Sequence, residues 1–60
     1  MAIWRSPDGT EVEAIVLDDR PTLRVTRRYG ERTVVVGYCA DVMDLAGLGV
    51  DVGALAEVPA

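Results

Sequence analysis

Ser6-Pro7-Asp8-Gly9-Thr10 constrains this chain more than any other stretch of it. Pro7 presets φ for the first corner of a type I turn, and Gly9 accepts the left-handed backbone that must follow. The result is a three-residue hairpin loop. It sets Ser6 opposite Thr10 and Trp4 opposite Val12, joining a strand at about 2–6 to one at about 10–17.

Two further turns continue the pattern. Asp18-Asp19-Arg20-Pro21 ends the second strand, because proline cannot donate to a central ladder. A third strand follows with clean alternation, Leu23 and Val25 on one side and Thr22, Arg24, Thr26 and Arg28 on the other. With Asp19-Arg20 as the loop, Val16 faces Leu23, Ala14 faces Val25 and Glu11 faces Arg28. Gly30-Glu31 then suits a type II′ turn that pairs Arg28 with Thr33, Val25 with Val36 and Leu23 with Tyr38. The registers agree on one apolar face: Trp4, Val12, Ala14, Val16, Leu23, Val25, Val34, Val36 and Tyr38. The other face mixes Glu11, Glu13, Arg24 and Arg28 with Ile15, Leu17, Val35 and Cys39, apolar residues that need cover.

After Cys39 the period changes. Asp41-Val42-Met43-Asp44-Leu45-Ala46 is echoed ten residues later by Asp51-Val52-Gly53-Ala54-Leu55-Ala56. In each copy the aspartate can cap a helix, with Val and Leu three apart on one side. The spacing predicts short helices at about 42–47 and 52–57 docked on the sheet. A return strand is compatible with Glu57-Val58. The chain thus reads as one mainly β (small α+β) domain. It is a four-stranded antiparallel meander with strands at about 2–6, 10–17, 22–29 and 32–39, strongly twisted or curled as a small barrel. In outline it is similar to SH3-like small barrels, a likeness of fold that implies no particular function.

Sixty residues with a single cysteine allow no internal disulfide and no four-ligand zinc site, and there is no histidine. A domain this small is marginal alone, so self-association is the expected support. No apolar run approaches the ~20 residues of a membrane span. The N-terminal residues lack the basic and apolar regions of a signal peptide. With the lone thiol, these features lead us to expect a cytoplasmic protein. Lys, Asn, Gln, Phe and His are all missing, a bias expected of a high-GC bacterium or one of its phages or plasmids.

Catalytic chemistry finds little to work with. Ser6 is the only serine and has no histidine to activate it. Cys39 reads as a small buried hydrophobe. Glu11/Glu13, Asp18/Asp19 and Asp41/Asp44 read as a charged sheet face, a turn and a helix cap, rather than a carboxylate pair in a cleft. The Gly47-Leu48-Gly49 region lacks the spacing and preceding strand of a phosphate loop. We therefore expect no enzyme, no cofactor and no metal.

Charge is the one live signal. Residues 20–32 carry five arginines against Glu31, while the rest of the chain carries Arg5 against nine acids, for a net charge of −4. Arg24, Arg27, Arg28, Tyr29 and Arg32 form a candidate binding hairpin at 24–32. A two-stranded ribbon fits the major groove, and arginine suits guanine or phosphate. Against this, Glu11 and Glu13 can neutralise the same face, and a pI near 4.4 is unlike a nucleic-acid binder. The favoured expectation is a small interaction or regulatory protein that binds another protein, itself a homo-oligomer. A DNA- or RNA-binding regulator is the alternative.

Overall fold

The computed structural model describes residues 2–59. Its first hairpin has the expected register, β1 (Ile3–Arg5) against β2 (Thr10–Leu17) with Trp4 opposite Val12. Gly9 sits at φ +91°, where a side chain would be strained, and the Ser6 N–H donates to the Thr10 carbonyl at 2.9 Å. Asp8 locks the loop, since its carboxylate accepts from the Ser6 hydroxyl and from the Thr10 N–H.

The second hairpin differs. Its loop is Asp18-Asp19, both at positive φ (51° and 61°), so β2 pairs with β3 (Arg20–Tyr29) as Leu17 with Arg20, Ala14 with Leu23 and Val12 with Val25. A two-residue loop with both corners left-handed matches strand twist, and aspartate tolerates that backbone better than arginine does. Pro21 lies inside β3, opposite Val16. By the ladder alternation its nitrogen faces away from β2, beyond the last β4 partner, so no hydrogen bond is lost there. The register is displaced by two residues, which preserves the face of every side chain. It changes which charges meet: Glu13 lies opposite Arg24 rather than Thr26, and Glu11 lies opposite Thr26 rather than Arg28.

The third hairpin begins as expected, with Gly30 at φ +63° and Arg28 opposite Thr33, joining β3 to β4 (Arg32–Cys39). A bulge between Val35 and Gly37 then shifts the pairing by one. Gly37 faces Val25, Tyr38 faces Arg24 and Cys39 faces Leu23. Tyr38 therefore leaves the covered face and stands half-exposed on the other, while Cys39 packs against the core. The cause lies overhead. A Cβ on Gly37 would come within 3.1 Å of Leu48 Cδ2, so the bulge puts the one residue without a side chain under the covering segment.

The five strands lie in the order β4-β3-β2-β1-β5, all pairs antiparallel. To reach β5 (Ala56–Glu57) from β4 the chain must cross four strand spacings, roughly 19 Å. It does so over one face, as a 3₁₀ segment (Val42–Leu48) and a single 3₁₀ turn (Val52–Ala54). Both begin on an aspartate cap, Asp41 accepting from the Asp44 N–H and Asp51 from the Gly53 N–H. The second helix expected at 52–57 stops after Ala54. Leu55 is already extended, and Ala56–Glu57 pair with Arg5 and Trp4, as the return strand does in a slightly earlier position. The sheet is not closed into a barrel, because the crossing segment fills the face around which it would have had to curl.

The core is thin. Val12, Val25, Leu45 and Val50 are buried, with Trp4, Leu23, Val36, Cys39, Leu48 and Leu55 packed around them. Val16 and Val34, expected in this core, lie beyond the cover and are exposed. No helix among the described residues is long and apolar enough to cross a membrane.

Candidate functional site

The five residues of the arginine hairpin do not lie in one patch. Strand parity sends Arg27 to the covered face, where its Nε donates to the buried Thr10 hydroxyl at 3.1 Å and its guanidinium to the Gly49 carbonyl at 3.3 Å. It ties the end of the 3₁₀ segment to the sheet. Arg24 is held on the open face by Glu13, whose side chain is only 16% exposed. Arg28, Tyr29 and Arg32 remain exposed, and none of the three is in an ion pair among the described residues. Glu11 pairs with Arg5 at 2.7 Å, so the expected partnership of Arg28 with Glu11 is replaced by a link across β1 and β2.

Arg28 instead borders a shallow recess of about 240 Å³ on the open face, with Arg5, Ser6, Thr26 and Thr33 around it. Its walls are mainly short hydroxyl side chains and the Arg5–Glu11 ion pair. It offers solvated contacts and little more.

The second concavity is of another kind. It lies between the sheet and the crossing segment, has a volume of about 250 Å³, and is lined by apolar residues. Trp4 and Leu23 rise from the sheet with Val12 beneath; Val42 and Leu45 come from the first 3₁₀ segment, Val52 from the second, and Leu55 from the extended residue after it. The two halves of the Asp-Val-x-x-Leu echo thus contribute the same two residues each. Exposed Val42 and Val52 mark its mouth, and Met43 is 89% exposed on the segment that forms one wall. Exposed acids stand beside the lining residues in sequence or register. Asp41 precedes Val42, Asp44 precedes Leu45, Asp51 precedes Val52, and Glu57 lies opposite Trp4. Acids thus flank the apolar lining residues in sequence or register.

Sequence reasoning found the echo but read it as capping used twice. The Val and Leu three apart are legible in each copy, but their spacing alone does not say how they divide between core and surface. On so short a segment one of them can serve the core while the other is left at the surface. Leu45 is buried and Val42 is not.

Cys39 is unsuited to nucleophilic chemistry. Burial raises its thiol pKa, and the Asp44 and Asp41 carboxylates push the same way. Its thiol donates to the Asp41 carbonyl at 3.5 Å. Among the described residues no group of three or more His, Cys, Asp or Glu side chains is arranged to hold a metal ion. No protein-family model, curated protein or solved structure matches the chain.

Proposed function

We propose that this chain is a non-enzymatic protein-binding module whose acid-rimmed apolar cleft receives a basic amphipathic segment of another protein. The observation that carries the reading is the cleft itself, lined by apolar side chains that Asp41, Asp44, Asp51 and Glu57 flank in sequence or register. Exposed apolar surface rimmed by charge marks interaction sites. A volume near 250 Å³ is small beside the ~300–1,000 Å³ of drug-sized ligand sites, and suits one or two anchoring side chains of a helix laid in a groove. The acids then select basic residues around those anchors, steering the encounter more than adding affinity.

The nucleic-acid alternative loses ground. With Arg27 facing the core and Arg24 paired, Arg28 and Arg32 are left at the hairpin end. About two phosphate contacts would give a log–log salt slope near −2 and weak binding.

Fluorescence of Trp4, the only tryptophan, offers a direct test. A Leu/Lys amphipathic peptide should change it saturably at micromolar concentration, while the matching Leu/Glu peptide should not. Val52→Glu should abolish the response and leave the far-UV spectrum native. Equal response to both peptides would contradict the charged rim. No response to either, with micromolar binding of mixed DNA or RNA at ~0.15 M salt, would transfer the function to the arginines.

A further inference from the structure

The two edges of the sheet are protected very unequally. Edge strands offer unpaired N–H and C=O groups to other chains, and proteins blunt them with charge, proline, shortness or cover. β5 is two residues long and carries Glu57. β4 is eight residues long, and from Thr33 to Cys39 it has no charge and no proline. Thr33, Val34, Val35 and Tyr38 are all exposed along it. β-branched and aromatic residues of this kind are strong strand formers. The bulge at Val36 is its only device against pairing.

We infer that β4 is a self-pairing edge, and that two copies of this chain join antiparallel through it into one continuous sheet. The orientation follows from the backbone and from charge. Ladder alternation directs the backbone groups of Arg32 and Val34 to β3, and so those of Thr33 and Val35 outward. Past the bulge the parity changes, and Tyr38 also points outward. Setting Thr33 of each copy opposite Tyr38 of the other pairs outward groups with outward groups in both directions. The same alignment brings Arg32, at the start of the strand, toward Asp41, just past its end, and a two-fold axis repeats the contact. A parallel arrangement would set Arg32 on Arg32. The strand has opposite charges at its two ends, so its antiparallel copy is complementary to it. Tyr38, turned out of the core by the bulge, gains a neighbour in the copy's Thr33. The two sites have Asp41 alone in common, and Val35→Pro and Val52→Glu test them separately.

Sedimentation equilibrium on the full chain, with amide exchange followed by NMR, tests the inference. A concentration-dependent dimer is expected, in which the Thr33 and Val35 amides are protected at high concentration and exchange freely on dilution. Arg32→Glu should weaken dimerisation about tenfold. Val35→Pro, which removes an outward-facing donor, should give a monomer with a native far-UV spectrum. If that variant fails to fold, wild-type exchange decides alone. A monomer at every concentration would overturn the inference, and so would a dimer whose Thr33 and Val35 amides stay unprotected.

Discussion

Leu45→Ala puts the greatest load on this architecture. Leu45 is the one buried residue of the Val42–Leu48 segment, 2% exposed, and it packs with Val12, Val25 and Val50. Seven residues of 3₁₀ helix have no stability of their own, so the segment stays on the sheet through this side chain, helped by Leu48 and the Asp41 cap. Truncation removes three carbons from the core, about 2.4 kcal/mol at ~0.8 kcal/mol per methylene. The cavity left behind brings the cost to about 3–4 kcal/mol. At ~0.05–0.15 kcal/mol per residue, 60 residues hold roughly 3–9 kcal/mol in all. With a urea m-value of about 1 kcal/mol/M for so small a chain, the midpoint should fall by about 3 M. Met43→Ala, two positions away and 89% exposed, should stay within about 0.5 kcal/mol of the wild type. Urea melts followed by Trp4 fluorescence and far-UV circular dichroism compare the two. Equal midpoints would refute the claim that one leucine fastens the cover.

The first loop should carry an acid-sensitive part of the stability. Hydrogen bonds from the Ser6 hydroxyl and the Thr10 N–H lower the Asp8 pKa from an ordinary 3.8 to about 2. Its contribution is therefore complete above 3.8 and disappears as pH falls through about 2. Asp8→Asn should flatten the acid limb of the stability curve, and an unchanged limb would count against the loop. A double-mutant cycle on Arg24 and Glu13 should give a coupling of about 0.5–1 kcal/mol, while Arg24→Ala alone should cost more by stranding half-buried Glu13. Gly37→Val should crowd Leu48 and loosen the cover, seen as faster exchange of the Val50 amide, whereas Gly47→Val meets open space and should not.

How far the sequence could be read depended on whether a feature was local. Pro7 and Gly9 carry the first hairpin in their own backbone preferences, and the observed register follows from them. Asp18-Asp19 failed because Pro21 was read as a strand end. Only the lateral extent of β4 makes a proline harmless there, and that is not written in residues 18–21. The bulge at Val36 answers Leu48, eleven or more residues downstream, and no local pattern announces it. The turn at Val52–Ala54 ends early because β1 offers an open edge that Ala56–Glu57 can fill. The arginines were legible as a cluster in sequence, but strand parity divides Arg27 from Arg24 and Arg28. The cleft was present in outline in the repeated Val and Leu of the echo. Its depth came from the distance the chain must cross, which only the strand order reveals.

The proposed site is tested most directly by mapping where the Leu/Lys amphipathic peptide lands, using ¹⁵N–¹H chemical-shift perturbation across the whole chain. Saturable shifts are expected at the Trp4 indole and the amides of Leu23, Val42, Val52 and Leu55, with Arg28, Tyr29 and Arg32 undisturbed. Shifts confined to the hairpin end, or spread evenly along the acidic surface with Trp4 silent, would contradict it.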